Sequence, residues 1–111
     1  MDNLPVGVYR KTAGPDGQFL EVNPALVSML EADSAETLLA HPLTTFRTAS
    51  GQPLFDESAP LPDTVVNEEI EMRTLKGRPF CGAITATLKR EADGRVYYDG
   101  IIEDVTRRKE I

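Results

Sequence analysis

The last part of this chain is built from extended segments joined by turns too short to hold a helix. Phe80, Gly82, Ile84, Ala86 and Leu88 recur at every second position, with Thr85, Thr87 and Lys89 between them. That is the period of a strand with one buried face. Glu91-Ala92-Asp93-Gly94 follows, and Asp-Gly is a strong hairpin signal because both residues tolerate the left-handed backbone of a tight turn. Arg95 to Val105 reads as the returning strand. Upstream, Glu69-Ile70-Glu71-Met72-Arg73 alternates as well, and Lys76-Gly77-Arg78-Pro79 turns it back. Strands joined this tightly pair antiparallel, since a parallel pair needs a crossover of a dozen or more residues. A purely parallel βαβ fold is therefore excluded.

The first half supplies the rest of the sheet and its cover. Val6 to Thr12 and Phe19-Leu20-Glu21-Val22 read as two strands about a turn at Ala13-Gly14-Pro15-Asp16-Gly17. Asn23-Pro24 marks a helix start, with Asn23 as the cap and proline at the first helical position. Leu26, Met29 and Leu30 then fall on one helical stripe. Asp33 and Glu36 are spaced as a capping box for a second helix, whose buried side is Leu38 and Leu39 and which Pro42 ends. Gly51, Pro53, Pro60 and Pro62 break up residues 43–62, and a short helix is expected from Asp63 to Asn67. The fold class is α+β: a five-stranded antiparallel sheet with short helices packed on one face. The chain of 111 residues suits one domain.

Charge and composition narrow the function. The net charge of −6 argues against nucleic acid as a partner, because phosphate contacts need clustered Lys and Arg. The one dense basic cluster, Arg107-Arg108-Lys109, reads as the solvated start of a helix. No apolar run is long enough to span a membrane, no membrane contact is expected, and the N-terminus lacks the pattern of a signal peptide. The lone Cys81 excludes an internal disulfide and fits a reducing, cytoplasmic setting, although the parent protein could be membrane-anchored elsewhere. It reads as a small packed residue of a strand, although Arg78 nearby could lower its pKa. The only histidine, His41, sits beside Pro42 as a surface or capping residue, with no nucleophile to serve. One His and one Cys far apart in sequence do not make a zinc set. Glu68, Glu69 and Glu71 cluster, but Glu69 and Glu71 share the wet face of a strand. No glycine-rich phosphate loop is present, and no catalytic constellation is legible.

Two stretches together resemble the PAS domain family of sensory modules. The opening is Leu4-Pro5-Val6-Gly7-Val8-Tyr9-Arg10 followed by Gly17-Gln18-Phe19-Leu20-Glu21-Val22-Asn23-Pro24-Ala25. The close runs from Asp93-Gly94-Arg95-Val96-Tyr97-Tyr98 through Asp99-Gly100-Ile101-Ile102-Glu103 to Asp104-Val105-Thr106 and the basic residues. Asp104-Val105-Thr106 is similar to the Asp-x-Thr signature that ends the last strand of such domains and begins the linker to the next. The resemblance implies a non-catalytic sensor module of a larger signalling protein. Residues 106–111 would start an output linker to a downstream effector domain, with Asp104 and Thr106 as signal-relay residues. It also implies a small-molecule ligand or a partner domain, or else a structural domain with a filled core that serves dimerisation. A small enzyme on a similar scaffold would need convergent polar groups in a cleft. Many family members have glycine after the first helix, whereas here Leu30 is followed by Glu31. The reactive cysteine of flavin-binding members lies in a helix after the second strand and Cys81 does not, so flavin is not expected. Haem is not expected either, since His41 stands at a helix end.

Periodicity nominates the residues between sheet and helices. Leu26, Met29, Leu38, Phe46, Met72, Phe80, Ile84 and Tyr98 are expected either to line a ligand pocket or to fill a core. The final strand is apolar on both parities: Val96, Tyr98 and Ile102 on one, Tyr97, Ile101 and Val105 on the other. A sheet with one wet face should alternate apolar and polar side chains. A homodimer covering Tyr97, Ile101 and Val105 is the expectation that follows.

Overall fold

The computed structural model describes residues 6–13, 17–55 and 63–109. The centre of the first turn (14–16), Pro60, Pro62 and the Leu4-Pro5 start of the family-like opening lie outside the described residues. The strands are β1 (Val6–Thr12), β2 (Phe19–Val22), β3 (Thr64–Arg73), β4 (Pro79–Arg90) and β5 (Val96–Asp104). Helices α1 (Pro24–Met29) and α2 (Ala35–Ala40) and a 3-10 turn at Leu43–Thr45 come between β2 and β3, and α3 (Thr106–Lys109) follows β5. The sheet order is β2-β1-β5-β4-β3, antiparallel throughout, so the first and last strands meet in the middle. The α+β architecture expected from the sequence is the one observed.

Asn23 does more than end β2. Its Oδ1 accepts from the N–H of Leu26 at 3.0 Å, capping α1, and from the N–H of Val8 at 2.9 Å. Its Nδ2 donates to Val6 O at 3.1 Å, so one side chain ties the helix start to β1. The other end of α1 closes with paired bonds, Ala32 N–H to Val27 O (3.0 Å) and Glu31 N–H to Ser28 O (3.1 Å). That closure needs a left-handed residue, and Glu31 supplies it with φ 56°.

Two sequence expectations are corrected. The cap of α2 is Ser34, whose hydroxyl accepts from the Thr37 N–H at 3.3 Å, one residue beyond the expected Asp33. Asp63 to Asn67 forms no helix, because β3 begins at Thr64. The adjacent β-branched pair Val65-Val66 favours a strand, and β4 is there to pair with it. A bulge between Val65 and Glu68, with Asn67 at φ 49°, breaks the alternation that would have marked this half of the strand.

The core lies between the sheet and the two helices. Leu26, Met29, Leu30 and Leu38 meet Tyr9, Phe19, Phe46, Met72, Phe80, Ile84, Tyr98 and Ile102 in one buried cluster. Each such side chain contributes about 1.5–3 kcal/mol when fully buried. Phe19 touches Tyr9, Phe46 and Phe55 edge-to-face, at centroid distances of 5.5, 5.3 and 5.8 Å. Inward-facing glycines allow this closeness. A Cβ on Gly7 would stand 2.6 Å from Leu26 Cδ1, one on Gly82 would stand 2.7 Å from Met72 Cε, and one on Gly100 would overlap the Tyr9 ring.

Candidate functional site

The junction between β5 and α3 is held by three bonds. Asp104 Oδ1 accepts from the Thr106 N–H at 3.0 Å, turning the chain out of the strand. Thr106 Oγ1 accepts from the Cys81 N–H at 2.9 Å, and Cys81 O accepts from the Val105 N–H at 2.9 Å. The first turn of α3 is thus fastened to the start of β4, and Arg108 adds an ion pair to Glu103 at 3.1 Å. Asp104 and Thr106, singled out by the family-like signature, come together with Cys81, whose role here lies in its backbone. The sequence offers no signal for that partner, since the contact depends on β4–β5 register.

The outer face of the sheet carries a recess of about 580 Å3 over its central strands. Val8 lies opposite Ile101, and Ile101 opposite Thr85; the next row is Glu21, Arg10, Asp99 and Thr87. Val8 is 47% exposed and Ile101 38%, so an apolar pair lies open beside a charged row. Arg10 grips Asp99 with Nε–Oδ1 at 2.7 Å and Nη2–Oδ2 at 3.3 Å, and its guanidinium lies 4.3 Å from the Tyr97 ring centre. The bond to Asp99 raises the pKa of Arg10 above its ordinary value. A hydrogen bond to Glu91 raises that of Tyr97.

The expected dimer face is redrawn accordingly. Ile101 is exposed, Tyr97 is half-buried under Arg10, and Val105 is only 2% exposed. Val105 leaves the face because β5 ends at Asp104 and the chain folds back onto β4 there. Val8 takes its place, and the parity of Val6 and Val8 in β1 was the signal that could have found it.

Inside, all eight nominated residues, Leu26, Met29, Leu38, Phe46, Met72, Phe80, Ile84 and Tyr98, belong to the buried cluster. Lys11 joins them and was missed. It is only 4% exposed, with its ammonium 4.6 Å from the Tyr98 ring centre and 5.3 Å from that of Phe55. Its parity with Gly7 and Tyr9 was a legible sign that it faces inward. His41 Nδ1 lies 2.6 Å from Thr37 O at the end of α2, a capping contact. No group of three or more His, Cys, Asp or Glu that could hold a metal occurs among the described residues. None of the described helices is long and apolar enough to cross a membrane.

No family model matches the chain, and no curated protein does. Solved structures do. A PAS domain from a two-component sensor histidine kinase superposes with a TM-score of 0.69 at 23% identity, over 92% of this chain and 86% of that one. A domain of a sensory box sensor histidine kinase/response regulator from Geobacter sulfurreducens gives 0.59 at 20% identity, over 89% and 82%. The blue-light activated histidine kinase EL346 of Erythrobacter litoralis gives 0.68 at 16% identity, over 93% of this chain but 34% of that protein. This chain therefore spans about a third of that kinase. With its five antiparallel strands in this order and its short helices on one face, the chain has the PAS fold.

Proposed function

We propose that this chain is a non-catalytic sensory input module that passes its state to a following effector domain through α3. The observation that carries the reading is the junction: Asp104 turns the chain, and Thr106 ties the new helix to Cys81 of β4. A change in the sheet that moves β4 against β5 would alter these bonds and thereby the direction or stability of α3. Residues 106–111 are, on this reading, the first residues of the output linker. The fold it shares with domains of sensor histidine kinases supports the proposal. The same reading includes a homodimer through the outer face, where Val8 and Ile101 are open. Between a small-molecule ligand and a filled core that serves dimerisation, the packing of the eight interior residues favours the filled core.

Amide exchange tests the junction. Thr106→Ala should speed exchange at Cys81 and in the first turn of α3 by about two- to tenfold, since one net hydrogen bond is worth roughly 0.5–1.5 kcal/mol. Exchange in β1 should not change. Equal protection in the variant and the parent would refute the role assigned to Thr106.

A further inference from the structure

After the 3-10 turn the chain adds a short rung to the β3 edge of the sheet. Thr48 bridges Met72 in antiparallel fashion, with Ala49 N–H donating to Glu71 O (2.8 Å) and Arg73 N–H to Arg47 O (3.1 Å). This pairing sets Arg47 opposite Arg73 on the same side of the ladder. Like charges directly opposite one another weaken such a ladder. Among the described residues neither guanidinium has a carboxylate partner. Arg73 Nη2 donates to Ala49 O at 2.7 Å, and Arg47 Nη1 lies 3.5 Å from Gly51 O. Carboxylates are not scarce in a chain of net charge −6. Glu71 shares the face, two residues from Arg73, and yet pairs with neither arginine, whereas Arg78 close by has Glu31 at 2.9 Å. Both arginines line a recess of about 170 Å3, whose other walls are Thr45, Phe46, Thr74, Leu75 and Gly77, with no acidic residue among them.

We propose that this recess binds a phosphoryl group, held between the guanidinium groups of Arg47 and Arg73. A guanidinium has five donors in a fixed fork, and most of those on this pair are uncommitted. Two positive charges match a dianionic phosphoryl group, whereas a single carboxylate would leave one unbalanced. The volume admits a group of a few heavy atoms, so the ligand is inorganic phosphate or the phosphate of a small monoester whose remainder lies outside. A bound dianion would turn the repulsion across the rung into attraction and would pin the segment after the 3-10 turn to the end of β3.

The test is a backbone-amide NMR titration of the whole protein at constant ionic strength, with inorganic phosphate and with glycerol phosphate as separate arms. Saturable shifts confined to residues 45–48 and 73–77 are expected, together with a rise in melting temperature on adding phosphate. Tighter binding of glycerol phosphate would identify a monoester as the ligand, and equal or weaker binding would identify the free ion. Arg47→Gln and Arg73→Gln should each weaken binding by about tenfold or more. Arg47→Gln should also leave the phosphate-free melting temperature unchanged or higher, because it removes the like-charge pair. Shifts that never saturate, shifts that a matched chloride titration reproduces, or a phosphate-induced rise in melting temperature that persists in both variants would overturn the proposal.

Discussion

Glu31 holds a backbone conformation that costs a residue with a side chain roughly 1–2 kcal/mol relative to glycine. Its carboxylate accepts from Arg78 Nε at 2.9 Å and from Thr74 Oγ1 at 2.8 Å, which ties the end of α1 to the β3–β4 turn. The bond from Arg78, and then that from Thr74, hold its pKa below the ordinary carboxylate value. A depressed folded value means that this stabilisation is present above the pKa of the unfolded chain and is lost as pH falls through the folded one. Glu31→Gln should therefore lower the melting temperature at neutral pH and make it fall less steeply on acidification, as thermal melts across pH would record. Glu31→Gly should melt above Glu31→Ala, since only glycine relieves the backbone. Asn23 carries three side-chain bonds, so Asn23→Ala should cost about 2–3 kcal/mol, more than a cap alone. Chemical denaturation measures this, and a loss under about 1 kcal/mol would show that the bonds to β1 contribute nothing.

At the scale of elements, what could be read in the sequence followed the regularity of the backbone. β4 alternates from Phe80 to Leu88, broken only by the buried Ala83, so its inner face was visible as Phe80, Gly82, Ile84, Ala86 and Leu88. β1, β2 and α1 were equally open to reading, because Asp-Gly, Asn-Pro and spaced apolar residues act locally. The first half of β3 was hidden by its bulge, which places Val65 and Val66 side by side and leaves Val66 72% exposed. The segment after α2 was hidden for another reason: the Thr48–Met72 bridge joins residues far apart in sequence, and no local pattern announces such a contact. The site divides in the same way. Asp104 and Thr106 bond within their own turn and were legible, Val8 could be read from its parity in β1, and Cys81 enters through strand register alone. Val105 was misplaced because parity was carried one residue past the end of the strand.

For the molecule as a whole, the sheet has two unlike faces. One is sealed by α1, α2 and the aromatic cluster, and the other presents Val8 and Ile101 beside Glu21, Arg10 and Asp99. A row whose charges alternate in sign can complement itself across a two-fold axis, which offsets repulsion between the like surfaces of the proposed dimer. Sedimentation over a range of concentrations should show a dimer that Ile101→Glu converts to monomer with little change in melting temperature. A dimer indifferent to that substitution would place the interface elsewhere. The bulge at Val65–Glu68 also twists the β3 edge away from flat pairing, which favours contact through faces over growth through edges. The inward glycines carry a consequence for descent. Because the Tyr9 ring occupies the space a side chain at position 100 would need, and Leu26 that of one at position 7, neither glycine can gain a side chain unless its partner gives way. A homologue with a side chain at position 100 or 7 is therefore expected to carry a smaller residue at position 9 or 26.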